Sequence, residues 1–579
     1  MVALHLTPTQ SHIVRVILYL PWLIWSVIAR LFFDTMSLIW TVWARKPGLR
    51  VPPPRDPYLL KSVRELASSV RERRITALEL LDKFIARIEE IQPYTNAVVR
   101  TRYAEARDEA RRVDQLLATK RDQTPDYSPE RKPLLGVPFT VKEAFNFVGM
   151  PWSSGVVSRK DVISRDTAPI VANIIDAGAI PFAITNLSEL CMWYESTNNR
   201  YGRCCNPYDV RRTVGGSSGG EAAVVAAGAS PFGVAADVGG SIRMPAFFCG
   251  VFGHKPTPGL VNNLGQYPHA ESNTLGTRLL ATGPICRHAE DLPLLVHVMS
   301  RQWKRDTPTP YDDFVYVDAD VDDEKVVAEQ KAQKLAPITC ALGFRFDLSR
   351  LRVVSVEDDG DSFLTSRVAD DLRDAQRQLA DHLEKRCGCS VTHKKFEAFK
   401  DALHMWSAAM TDMNGPKFAE YMTGCDRLTG FNGAVNPYTE LLRWIFRVSE
   451  HTLPAIGLAL VERLEAMQPQ RWHRRMREKA EKLRDELLQV LGSDGVLLYP
   501  SHPMVAPRHN EPIFRVPNFA YSSLFNVLGL PVTQCPLGLN SAGLPLGVQV
   551  VCSPGSDHLT FAVAKEIEKA FGGWHAPGL

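Results

Sequence analysis

Hydrophobic and polar positions divide the chain into an apolar N-terminal stretch, a proline-rich connector and a long region of alternating helical and strand periods. From Val16 to Ala29 the run VILYLPWLIWSVIA carries no charge, and widening it to 13–33 gives 21 residues interrupted only by Arg15 and Arg30 near the ends. That length can cross a bilayer, with the arginines snorkelling to the headgroups, so the pattern predicts an uncleaved membrane anchor within residues 1–45. A cleaved signal peptide and a helix lying in the interface are the alternatives; no small-residue cleavage site follows the run. A second short apolar run occupies 38–44. Arg45, Lys46, Arg50 and Arg55 follow, whereas residues 1–12 hold no Lys or Arg. The positive-inside rule then places the remainder of the chain in the cytosol; the expected location is an intracellular membrane such as endoplasmic reticulum or a lipid droplet, which the charge pattern does not choose between.

Residues 46–59 read as a Pro-rich linker, and 60–579 as one folded domain. Thr76 and Glu79 form a capping-box pattern ahead of Leu81, Phe84, Ile85, Ile88 and Ile91, which predicts an amphipathic helix over 76–91. A further helix is expected over 103–118 and a polar surface loop over 119–132. GVPFTVKE reads as a strand ending near Lys142. Helix at 169–178, strand at 180–185, helix at 220–229 and strand at 231–238 follow. This rhythm predicts an α/β fold, a central sheet covered by helices on both faces. The acidic stretch 304–331 lacks the Gly and Glu positions of a calcium loop and reads as a solvated insertion. Over 439–461, apolar residues are interleaved with Arg443 and Arg447, which fits either a core helix pair or a segment dipping into a membrane interface.

Composition removes several classes of function. The 579 residues are 45% hydrophobic and 23% charged, so a large core can form. A net charge of +3, from 67 basic and 64 acidic residues, is too small for a nucleic-acid footprint. Eleven cysteines are scattered, and neither Cys204 with Cys205 nor Cys387 with Cys389 has zinc spacing, so no metal is expected. The sequon at Asn186 abuts a predicted buried strand and does not argue for a lumenal face.

The densest chemistry lies between 213 and 259, where GGSSGG at 215–220 and GGSIR at 239–243 bracket a helix and a strand. Neither a phosphate-binding loop nor a nucleophile elbow matches, since G-x-x-x-x-G-K-[ST] and G-x-G-x-x-G after a strand are missing there and no G-x-S-x-G stands in a strand-turn-helix setting. Glycines around serines suit acyl transfer, in which a hydroxyl must reach a carbonyl and backbone N–H groups must reach the oxyanion. The serine also needs a base. No histidine lies in these loops, and His254 nearby reads as a packing or loop residue. Lys142, ending an apolar strand, would lose proton affinity on burial and offer a neutral amine, although a lysine after an apolar run is more often a surface residue. Ser218 reads as a loop hydroxyl, and Arg243 as a brace for the loop.

GGSSGGE, the 24-residue step from Ser217 to Ser241, DVGGSIRMPAFFCGVFGHKPTPG, the upstream GVPFTVKEAF and the downstream TGPICRHAEDL and GLPVTQCPLGL resemble the amidase-signature family. TNLSELCMWYES at 185–196, YPSHPMVAP at 499–507 and the closing AFGGWHAPG are similar to the fatty-acid amide hydrolases within it. The resemblance covers about 60–579. It implies a Ser241 nucleophile, a Ser217 proton shuttle and a Lys142 base, with the N–H groups of Val238, Gly239, Gly240 and Ser241 as oxyanion hole. It implies no cofactor, a lipid amide substrate, a membrane as partner and, as an open alternative, a homodimer. A soluble-substrate amidase or amidotransferase subunit of the same fold, and a membrane-tethered scaffold with a dead site, are the competing readings.

Overall fold

The computed structural model describes residues 49–119, 127–269, 278–301, 346–411, 416–425 and 433–578. The predicted anchor, the run at 38–44 and the 304–331 insertion lie outside the described residues. Among the described residues no helix is long and apolar enough to cross a membrane.

Eleven strands form one mixed sheet: β1 Val98–Thr101, β2 Pro138–Lys142, β3 Ile180–Thr185, β4 Phe232–Asp237, β5 Phe252–Lys255, β6 Ala281–Cys286, β7 Arg352–Ser355, β8 Ser390–His393, β9 Gly495–Tyr499, β10 Val532–Leu539 and β11 Pro545–Cys552. Their spatial order is β1-β3-β2-β4-β6-β5-β10-β11-β9-β7-β8. The β2 strand runs parallel to both β3 and β4, so Lys142 and Asp237 stand at the same, carboxyl edge of the sheet. Every residue of β2, β3 and β4 is buried. Because successive residues point to opposite faces, both faces are covered, as the unbroken apolar runs of these strands predict. The outermost strand, β8, is mostly exposed.

Helices fall where the apolar spacing puts them. The first pair is α1, Ala77–Thr95, and α2, Tyr103–Ala118. In α1 the Leu80, Leu81, Phe84, Ile85, Ile88 and Ile91 side chains are buried, and Thr76 Oγ1 accepts from Glu79 N at 3.0 Å. Glu79 itself turns toward Lys83 Nζ, at 3.8 Å. The reciprocal capping box is built one helix earlier, by Ser62 and Glu65. Next come α3, Pro169–Asp176, α4, Gly219–Ala226, and α5, Arg243–Phe248. Three further helices bear on the site: α6, Ala402–Thr411, and the hairpin of α7, Pro437–Ile445, and α8, Leu453–Glu465.

The proline-rich stretch is laid against the domain. Val51 is buried and donates its N–H to Pro207 O at 3.1 Å, and Arg87 Nη2 donates to Pro52 O at 2.6 Å.

Candidate active site

Three segments converge at the carboxyl edge of β2 and β4: the end of β2, the turn entering α4, and the turn between β4 and α5. In open α/β sheets this edge is where ligands bind. Lys142 is buried there, and its Nζ donates to Ser217 Oγ at 2.7 Å. The Gly216–Ser217 peptide is cis. Ser218 N donates to Ser241 O at 3.2 Å, which ties the two serine loops together, and Ser241 is only 7% exposed. Burial pushes the Lys142 pKa down from its ordinary value, against the opposing pull of Cys191, Asp237 and Glu221. One other lysine among the described residues is fully buried, Lys255, pushed down to about 7 by burial; its ammonium meets Pro256 O rather than a serine.

The loop bearing Ser241 is held by a buried charge pair. Asp237 accepts from Gly240 N at 2.6 Å, Ile242 N at 3.1 Å, Arg243 Nε at 2.9 Å and Asn526 Nδ2 at 2.9 Å. Burial alone would raise this carboxyl; the Arg243 guanidinium and the N–H donors hold it well below the usual carboxylate range. Arg243 completes its own bonding through Ser522 O, Gln549 Oε1 and Asn526 Oδ1, and so braces the loop. Gly240 has φ +114°, and a Cβ there would fall 2.5 Å from Ser522 Cβ, so only glycine fits. The Gly240 N–H is already taken by Asp237. Val238 O accepts from Trp406 Nε1 at 3.0 Å, and a Cβ on Gly239 would meet the same indole at 3.3 Å, so α6 roofs this turn.

Ser218 Oγ donates to Ala236 O at 3.3 Å, in keeping with a loop hydroxyl. His254 lies within β5, buried between Thr533 Oγ1 at 2.8 Å and Asp557 at 3.1 Å. Asn186 is buried and bonded to Asn96 O, Leu187 N and Asn198. Cys204, Cys205, Cys387 and Cys389 are free thiols. One group of metal-ligand type, His382, Cys387 and Glu566, has donor atoms within 4.8 Å of one another. His382 is on the Asp370–Lys385 helix, Cys387 just past its end and Glu566 on the Asp557–Phe571 helix, away from the serine loops.

Several neighbours of the site went unread in the sequence. Leu190 and Cys191 take left-handed backbone, with φ +54° and +59°, and Cys191 is among the groups that oppose the effect of burial on Lys142. Glu189, one position earlier, accepts from Thr452 N at 2.8 Å and meets His451 Nδ1 at 2.7 Å, which clips the α7–α8 hairpin to this loop. Glu221 is a charge in a helix whose every residue is buried. A lone carboxylate in the otherwise apolar GGEAAVVA was the signal available for it.

An α/β sheet with this edge, a lysine–serine contact and two glycine-flanked serine turns defines an amide-hydrolase architecture, and the family model for Amidase matches residues 79–561. The chain belongs to that family and is an amide-hydrolysing enzyme. It is 45% identical over 530 residues to fatty-acid amide hydrolase 2 of Homo sapiens, covering 91% of this chain and 92% of that protein. Fatty-acid amide hydrolase 2-A of Danio rerio is 43% identical over 534 residues, covering 91% and 92% of the two chains. A solved structure described as fatty acid amide hydrolase shares the fold, with TM-score 0.65 at 21% identity over 90% of this chain and 88% of that one.

Proposed function

We propose that this enzyme hydrolyses fatty-acid amides at a lipid surface, through an acyl-enzyme on Ser241. The observation that carries the reading is the 2.7 Å contact between buried Lys142 and Ser217, beside the braced Ser241 turn. When Lys142 is neutral, the same contact reverses, and Ser217 O–H donates to the amine lone pair. Ser241 Oγ attacks the amide carbonyl as its proton passes to Ser217 and the Ser217 proton passes to Lys142. The C–N bond then breaks, and the proton returns along the same path to the departing amine. Water repeats the cycle on the ester and releases the fatty acid. Val238, Gly239 and Ser241 supply the N–H groups for the oxyanion; the fourth expected donor, Gly240, would have to leave Asp237 to join them.

Both fatty-acid amide hydrolase 2 relatives support a lipid substrate. So does the α7–α8 hairpin beside the site. Its inner side, with Ile456 and Ala459, packs in a cluster with Leu190 and Tyr267. Its outer side exposes Tyr438, Leu442, Ile445, Phe446 and Met467, with Phe446 74% exposed. An apolar patch beside Arg443 and Arg447 suits the headgroup boundary of a membrane. The segment at 13–33 is the second proposed membrane contact.

The test combines Ser241→Ala with a substrate panel of an N-acyl ethanolamine, a primary fatty amide and a short amide. Wild type should favour the long chains and carry an acyl adduct on Ser241, while Ser241→Ala loses adduct and turnover with its fold intact. An adduct on another residue, or preference for the short amide, would defeat the proposal.

A further inference from the structure

Glu221 has no place in the steps above, yet the fold makes room for it. Its Oε2 accepts from Thr140 Oγ1 at 2.6 Å and its Oε1 from Thr185 Oγ1 at 2.8 Å. Thr140 lies two residues before Lys142 in β2, on the same face of the sheet. Thr185 is the residue paired with Lys142 across β2 and β3. On the next strand, a Cβ at Gly233 would fall 1.7 Å from Glu221 Oε2, so the glycine vacates space for the carboxylate. A buried carboxylate with two hydroxyl donors still needs a cation, and the one whose charge acts on it is Lys142.

We propose that Glu221 is a positioning residue that sets the proton affinity of Lys142, held in place by the Thr140 and Thr185 hydroxyls. The inference rests on the reading of Lys142 as base. Burial by itself makes an amine a poor proton acceptor, and a lysine that cannot take the Ser217 proton cannot drive attack. When ionised, Glu221 offsets this by stabilising the ammonium that forms as Ser217 gives up its proton. The groups facing Lys142 are Ser217, the Cys191 thiol, Asp237 and Glu221. Asp237 is paired with Arg243 and its charge is already answered. Facing Glu221 are Thr140, Thr185 and Lys142, with Ser230 Oγ behind Thr140 at 3.3 Å. Burial raises the Glu221 pKa to about 8, opposed by the Thr140 and Thr185 hydroxyls and by Lys142.

The experiment is kcat/KM against pH for a short-chain anilide, on full-length wild type, Glu221→Gln, Thr185→Val and Lys142→Ala. Glu221→Gln should move the acid limb to lower pH by about one unit and lower the plateau about tenfold or more. Thr185→Val, which removes one donor and so weakens the carboxylate charge, should move the limb the same way by less. If Lys142→Ala abolishes the limb while both other variants keep it at the wild-type pH, Glu221 is a structural group, the inference is overturned and the base assignment stands. A limb that survives Lys142→Ala defeats the base assignment and the inference together. Should Glu221→Gln show no fluorophosphonate labelling at any pH and altered circular dichroism, Thr185→Val decides alone, and an unmoved limb overturns the proposal.

Discussion

Lys142 shows how much a single residue depends on where the fold puts it. At the end of PFTVK it has the same neighbours in sequence as many surface lysines, but β3 and β4 flank it and Ser217 closes over its ammonium. Its pKa therefore lies below the ordinary 10.5, with burial as the main cause. If Lys142 is the base proposed above, its working form is the neutral amine, and kcat/KM should rise with pH through that lowered pKa and level off once Lys142 is deprotonated. In Lys142→Ala this limb should vanish, with amides slowed by about 10² to 10⁴-fold and matched esters by much less, since an amine needs a proton to leave. Equal losses on amide and ester, with the limb retained, would mark Lys142 as a structural cation. Ser217, Ser241 and Lys142 were legible because glycine context and an apolar run are local. Glu221, Cys191 and Trp406 were not, since their roles arise from contacts across β3, across the 189–191 turn and from a helix over 160 residues away.

At the scale of elements, most expected bounds hold within two residues, but the 76–91 helix continues to Thr95 and the 220–229 helix ends at Ala226. The α4 helix starts at Gly219, directly after the two serines, so its first turn belongs to the site rather than to the packing behind it. The α7–α8 pair, whose pattern fitted a core helix pair or a segment dipping into a membrane interface, packs one side into a core and leaves the other exposed. Only tertiary packing could divide the two sides, because the apolar residues run nearly all round. Leu442→Glu with Phe446→Glu should lower binding to anionic phospholipid vesicles at least about tenfold, as two exposed apolar side chains lose their transfer into the interface. Turnover of a soluble short amide should stay near wild type. Vesicle binding unchanged in a sedimentation assay would remove the hairpin from the proposed membrane contact.

For the whole molecule, the two proposed membrane contacts can be separated. Deleting residues 1–45 should release much of the protein into the soluble fraction while leaving hydrolysis of a short soluble amide intact. The remainder should stay vesicle-associated through the α7–α8 hairpin and be released by salt and by the Leu442 and Phe446 substitutions. Full retention on membranes after the deletion would show that residues 1–45 do not anchor the chain. What the amino-acid order determined by itself was the α/β alternation, the buried parallel strands and the candidate set of two glycine-flanked serines with a lysine. These depend on periods of two and 3.6 residues and on backbone freedom, all of which act over a few neighbours. The tertiary structure decided that β2 sits between β3 and β4, which seats Lys142 on Ser217 and surrounds it with Thr185, Cys191 and Glu221. It also decided that Arg243 braces Asp237 and that the Glu189 clip joins the hairpin to the site. Such contacts depend on strand order and loop crossing, where residues far apart in the chain share one desolvated space, and charge and acidity are set by that space rather than by adjacent residues.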